Sequence, residues 1–255
     1  MKIKQIYELF DNEFNVTSQE EWDNSGLIAF NNDPNVDANN PVLSLDVNQE
    51  VVEYAIKNNS NLIISHHPIF LDHEVSRMQP YKLLLKLIKE HNIFLIALHT
   101  CFDKHQFGTS YQIVKHLKDF EIKHSLNSDF LVFGISKIAL SLNDLIAKLK
   151  TNLDLEYVNL LQNQNFDFNQ KFKNLKIAVA AGAGCSELDN IYKKDKIDFF
   201  ISSEVKWHMW NNNLAQSFKI LEIPHSVEKV FINAIAKKFK QINFLTYYPF
   251  KISKF

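Results

Sequence analysis

Apolar residues recur at Ile3, Ile6, Leu9 and Phe10, three or four positions apart, and this spacing predicts a helix over residues 2–14. Short unbroken apolar runs follow at 42–45, 62–64 and 93–98, and runs of this length predict buried strands. Between them, 49–57 and 80–91 (Tyr81, Leu84, Leu85, Leu87, Ile88) carry helical periodicity, while the Asn, Asp and Pro of 31–41 mark a loop. Strand, helix, strand, helix, strand is the order of a parallel sheet, so the fold class is α/β. The second half repeats the alternation: a helix over 142–149, strands at 175–180, 197–201 and 219–223, and a helix over 227–239. Polar residues interrupt the pattern between 120 and 130, which places a boundary between lobes spanning 1–125 and 126–255.

In a parallel sheet, ligands gather beyond the carboxyl ends of the strands. Two imidazoles, His66 and His67, stand where the strand at 62–64 ends, and Pro68 then breaks the chain. His99-Thr100-Cys101-Phe102-Asp103 follows the strand at 93–98 in the same way. Imidazole is the commonest side-chain metal ligand near neutral pH. Adjacent residues on an extended chain point opposite ways, so the His pair can serve two ions, or one if the backbone bends. His225 and Glu228, three apart at a strand-to-helix junction, can face one point. Three nitrogen and two carboxylate donors suit Zn, Fe, Mn or Co better than Ca or Mg. His73, His91, His105, His116 and His124 lie outside any such context and are read as ordinary side chains.

Composition narrows the picture further. The chain has 255 residues, 46% of them hydrophobic, enough for a real core. A net charge of -1 and a pI near 6.8 argue against nucleic acid as a partner. The pairs Lys193-Lys194 and Lys237-Lys238 read as solvated helix faces. No apolar stretch approaches the ~20 residues of a membrane span, and the opening Met1-Lys2-Ile3-Lys4-Gln5-Ile6 is too polar for a signal peptide. Two cysteines, Cys101 and Cys185, make no disulfide framework, so a cytoplasmic setting is expected. Cys101 is read as a small buried hydrophobe.

Five motifs in order resemble the Nif-three-like family, often called GTP cyclohydrolase I type 2 homologues. They are Trp22-Asp23-Asn24-Ser25-Gly26-Leu27, Ser65-His66-His67-Pro68-Ile69-Phe70, His99-Thr100-Cys101-Phe102-Asp103, Ser203-Glu204-Val205-Lys206-Trp207-His208 and His225-Ser226-Val227-Glu228-Lys229. The resemblance spans Trp22 to Lys229 and singles out His225 among the late histidines. It implies two related α/β lobes with mixed sheets and a dinuclear metal site in the cleft between them. The ligands of its two divalent ions would be His66, His67, Asp103, His225 and Glu228. It also implies a toroidal homohexamer, in a short form without an inserted domain. Two positions depart from the pattern: Ser203 and Pro224 each stand where the family has glycine. Proline cannot adopt positive φ, so the turn before His225 must be built differently.

A dinuclear centre with open positions suits a metal-dependent hydrolase acting on a nucleotide or phosphoester. Glu204 and His208 are then candidates for general base or acid, and His99 for a proton-transfer or ligand-orienting role. Gly182 and Gly184 follow a strand and precede a helix, so their backbone N–H groups are candidates for an anion cradle. The segment from Trp22 to Gly26 reads as a structural turn or part of the site wall. The alternative is a non-catalytic metal-binding ring for metal handling or partner binding.

Overall fold

The computed structural model describes residues 1–71, 78–161, 167–191, 196–213 and 219–249. The chain divides into two compact units, Met1–His105 joined by the segment from Phe231 onward, and Gln106–Val230. This division falls elsewhere than the single cut expected near residue 125: the chain leaves the first unit some twenty residues earlier, and it returns to that unit after Val230.

The first unit opens with α1 (Ile3–Phe14), whose Ile3, Ile6, Phe10 and Phe14 form one buried stripe. There follow β1 (Gly26–Ile28), β2 (Val42–Ser44), α2 (Gln49–Lys57), β3 (Leu62–Ser65), α3 (Gln79–Glu90), β4 (Phe94–Ala97) and the single-turn α4 (Thr100–Asp103). Asn48 caps α2 by accepting a hydrogen bond from the Val51 amide, and Pro80 sits in the first turn of α3, where its missing N–H costs nothing.

The second unit contains α5 (Thr109–Leu117), β5 (Phe120–His124), β6 (Val132–Ser136), α6 (Leu142–Leu153), β7 (Lys176–Val179), α7 (Leu188–Ile191), β8 (Phe199–Ser202), α8 (Trp207–Asn213) and β9 (Lys219–Glu222). The chain then enters α9 (Val230–Lys238) and β10 (Leu245–Thr246), which complete the first unit.

Each unit is built on a five-stranded mixed sheet. The first has the order β1-β4-β3-β2-β10, all parallel except for antiparallel β1. The second has the order β5-β6-β7-β8-β9, with β7, β8 and β9 parallel and the β5 and β6 pairings antiparallel. The central strands are apolar throughout because both faces are covered. In β3 and β4, Leu62, Ile64, Phe94 and Ile96 pack with α1 and α9, while Ile63 and Leu95 pack on the opposite face with residues of α2 and α3. In the second unit, Ile177, Val179, Phe199 and Ile201 pack with α5 and α6, and Ala178 and Phe200 pack with α7.

The expected strands and helices all occur, with bounds shifted by a few residues, and the helix expected over 227–239 begins as a 3-10 turn, His225–Lys229. The polar stretch taken for a boundary is β5, an edge strand that buries Phe120 and exposes Glu121, Lys123 and His124. Lys237 and Lys238 are exposed as expected, and Lys238 pairs with Glu13; Lys193-Lys194 and His73 lie outside the described residues. Among the described residues no helix is long and apolar enough to cross a membrane.

Helix α6 carries a reciprocal cap. Ser141 Oγ accepts from the Asp144 amide (3.2 Å) and Asp144 Oδ2 accepts from the Ser141 amide (2.8 Å). The Lys171 ammonium and then the Ser141 hydrogen bonds hold the exposed Asp144 carboxyl well below the usual carboxylate range. Ser141→Ala is expected to lower unfolding free energy by about 1 kcal/mol in urea titrations. The folded-state pKa of Asp144 lies below the unfolded one, so its contribution is complete above about pH 3.9 and is lost as pH falls toward the folded value. The stability difference between wild type and Asp144→Asn should therefore shrink in acid, read from the same titrations repeated between pH 5 and pH 2.

Candidate metal centre

In the first unit, β3 ends at Ser65 and the two imidazoles follow at once. The backbone there is tied to both neighbouring strands: His67 N donates to Leu45 O (2.9 Å) and Leu98 N donates to Ser65 O (3.0 Å). His66 is fully buried, its ring against Phe102 and Phe231. Its Nδ1 lies 2.9 Å from Leu98 O. A carbonyl oxygen only accepts, so Nδ1 carries the proton and a neutral ring keeps its lone pair on Nε2. That Nε2 is 3.6 Å from Asp103 Oδ1, on the one-turn α4. A lone pair and a carboxylate repel at this distance. A proton on either group or a cation between them would remove that repulsion.

His67 is half-buried. Its Nδ1 is 2.7 Å from Asp46 Oδ1, again an acceptor, at the end of β2. His99 Nδ1 is 3.1 Å from Asp23 Oδ1. The three rings converge, with centroids 5.0–5.4 Å apart, and one ring nitrogen from each lies within 4.8 Å of the others. An Nδ1 held by an acceptor, which leaves Nε2 to coordinate, is the arrangement that metal-ligating imidazoles adopt. The donor set thus fits a divalent cation.

Asp23 is the anchor of this cluster. It is buried, and its carboxylate accepts from the Asn24 amide (2.7 Å), His99 Nδ1, the Ser25 hydroxyl (2.9 Å), and the Thr100 amide (2.9 Å) and hydroxyl (2.5 Å). Burial alone would raise its pKa, but the bonds from His99 and Thr100 and the His99 charge override it and hold the group far below the usual range. Trp22 stacks edge-on against His99 (5.6 Å). The segment read as a turn or site wall is a mount for His99.

Sequence reasoning did not assign Asp23 to His99 or Asp46 to His67. The signal was present for Asp46, which closes the strand beside the one carrying the His pair. The remaining histidines take ordinary places: His105 lies 3.3 Å from Glu13, His116 Nδ1 bonds Gln112 O, His124 stacks on Tyr111 and His91 is exposed.

In the second unit, β9 runs into Pro224 and the 3-10 turn His225–Lys229. Pro224 takes φ -57 and ψ 140, the extended conformation proline prefers, so no strain accompanies its departure from glycine. His225 Nδ1 is 2.8 Å from Glu204 Oε1, and its Nε2 is 2.9 Å from Glu228 Oε2. The imidazole lies between two acceptors, which again calls for a charged ring or a cation beside Nε2. Ser203 is fully buried, and Glu204 itself takes φ +50, a left-handed conformation that costs a non-glycine residue about 1–3 kcal/mol. That strained backbone delivers the carboxylate to His225. His208 is exposed on α8 and makes no hydrogen bond or ion pair among the described residues.

Gly182 has φ +61, and a Cβ there would stand 2.5 Å from Glu228 Oε1. Its carbonyl accepts from the Ser203 amide (2.9 Å). Both glycines read as an anion cradle thus meet a packing demand: Gly182 makes room for the Glu228 carboxylate, and a Cβ at Gly184 would press on Ala180 Cβ at 2.7 Å. Gly182→Ala should destabilise the fold by about 1–3 kcal/mol, measured by denaturant titration.

Burial pushes the Cys101 thiol up to about 12, helped by the charges of Asp23 and Asp103, and burial also raises Cys185. Both thiols are buried, as expected for Cys101. At pH 8 neither should react with a disulfide reagent in native protein, and denaturant should release both.

The family model for Duf34/NIF3 (NGG1p interacting factor 3) matches residues 1–253. A relative in Ureaplasma parvum, named GTP cyclohydrolase 1 type 2 homolog, is 30% identical over 92% of this chain and 88% of its own length. One of the same name in Mycoplasmopsis pulmonis is 31% identical over 94% and 96%. Among solved structures, a Staphylococcus aureus hypothetical protein superposes with a TM-score of 0.84 at 22% identity over 99% of both chains. A Bacillus cereus protein related to NIF3 does so with 0.83 at 15% identity, also over 99% of both. The matched span and these relatives together show that the chain belongs to the Duf34/NIF3 family.

Proposed function

We propose that this protein is a metal-dependent hydrolase that holds two divalent ions through His66, His67, Asp103, His225 and Glu228. One observation carries the reading. His66, His67, His99 and His225 each have Nδ1 against an oxygen acceptor, which leaves Nε2 as the donor atom. Nitrogen and carboxylate donors together suit Zn, Fe, Mn or Co.

The chain's own residues divide the work. Leu98 O, Asp46 and Glu204 fix the ring orientations of His66, His67 and His225. Asp103 and Glu228 bring negative charge beside His66 and His225. When bound, divalent ions would supply Lewis acidity and an activated water. Glu204 is committed to His225, and we assign it to positioning. Relatives named as GTP cyclohydrolase homologues make a nucleotide or phosphoester the substrate class to try first.

Elemental analysis of tag-free protein, purified without chelator, tests the metal claim. Wild type should carry about two ions per chain and His67→Ala fewer. Wild type that stays empty after incubation with Zn, Mn, Fe and Co would overturn it. Loaded protein should then hydrolyse members of a nucleotide and phosphoester panel in a chelator-sensitive way. Full occupancy without turnover would replace the hydrolase with a non-catalytic metal-binding role.

A further inference from the structure

We infer that His99 is a third imidazole ligand at the metal site to which His66 and His67 contribute, and that Asp23 is the positioning residue that makes it one. The inference rests on the metal-binding reading above and adds a ligand that the family pattern does not assign.

Three observations, all within the first unit, carry it. One nitrogen from each of His66, His67 and His99 lies within 4.8 Å of the other two, and the His99 ring meets the other two nearly at right angles, at 79° and 82°. Edge-on rings bring nitrogens together without stacking faces. Next, Asp23 Oδ1 faces His99 Nδ1, so the proton is held on Nδ1 and Nε2 is the atom left to donate. This is the relation Leu98 O has to His66 and Asp46 has to His67.

The third observation concerns how firmly the ring is mounted. The His99 amide donates to Ser25 Oγ (2.9 Å), and Ser25 and Thr100 both donate to Asp23. The Glu20 amide donates to Thr100 Oγ1 (2.9 Å), and Trp22 lies edge-on against the ring. A buried carboxylate that accepts from backbone and side chains on both sides of His99 fixes backbone and ring alike. A histidine needed only for packing calls for no such anchor, whereas a ligand must be held at one orientation and in one tautomer.

Cobalt(II) titration of wild type, His99→Ala, Asp23→Asn and His91→Ala, followed by visible absorption, tests the idea without requiring turnover. Loss of the His99 ligand should change the cobalt d–d spectrum and weaken binding of the tighter ion. Asp23→Asn keeps His99 but loosens its tautomer, and should weaken that ion by about 10–100-fold. His91→Ala, which removes an exposed imidazole outside the cluster, should retain the wild-type spectrum. Free imidazole added to His99→Ala should restore the spectrum, an effect a merely structural role cannot produce. Circular dichroism confirms folding of each variant. If wild type binds cobalt and folded His99→Ala shows the same spectrum and affinity, His99 is not a ligand and the inference falls while the metal reading stands. If wild type binds no cobalt, both fall.

Discussion

A carbonyl oxygen can only accept a hydrogen bond, and the site in the first unit depends on that limit. Leu98 O faces His66 Nδ1, so the proton of that buried ring is fixed and its Nε2 is committed to donating electrons. The geometry that produces this contact is the pairing of β3 with β4: Ser65 O accepts from Leu98 N, which sets the Leu98 carbonyl where the next residue's ring reaches it. Sheet register therefore chooses the tautomer of a candidate ligand. The same register carries His67 toward Asp46 at the end of β2. Two neighbouring imidazoles thus acquire equivalent chemistry from different neighbours, one a main-chain oxygen and one a carboxylate.

The second unit reaches a similar result by local means. The turn at His225 contains no glycine, and it needs none, because Pro224 sits at an extended φ and ψ that the ring permits. Left-handed backbone occurs instead at Glu204 and Gly182. At Gly182 it is free, and the absent side chain makes room for Glu228. At Glu204 it is strained, and surrounding structure sustains it: Ser202 and Ser203 are fully buried, and the Val205 amide bonds Glu222 Oε1 (2.9 Å). Non-glycine residues held this way cluster at functional sites, and here the strained residue is the one that touches His225.

The legibility of the sequence follows the kind of constraint. Strands covered on both faces are written as unbroken apolar runs, so β2, β3, β4, β7, β8 and β9 can be found from Leu, Ile, Val, Ala and Phe alone. The half-covered β5 alternates Phe120, Glu121, Ile122, Lys123, His124, and its three polar residues imitate a linker. The short β1 and β10 are placed by partners distant in sequence, which no local pattern records. The His pair and Asp103 were legible because they stand at strand ends. Asp23 was not: its meaning lies in donors at residues 99 and 100, some 76 positions along the chain, and a lone Asp in a turn-like segment suggests a cap before it suggests a mount.

How exposure is distributed in the first unit bears on what the cluster can do. His66 is sealed, with aromatic rings against it and its Nδ1 tied to the main chain. His67 keeps 21% of its side chain accessible, and its partner Asp46 keeps 37%. A site made for handing ions on needs ligands that can let go, and a fully buried ring locked by a backbone oxygen is poorly suited to that. A resident ion with one open flank requires a rigid inner ligand and an accessible outer one, which is the distribution seen here. On the proposed hydrolase reading, substrate would approach from the His67 side. This asymmetry, more than the count of histidines, fits the proposed resident ion better than a transported one.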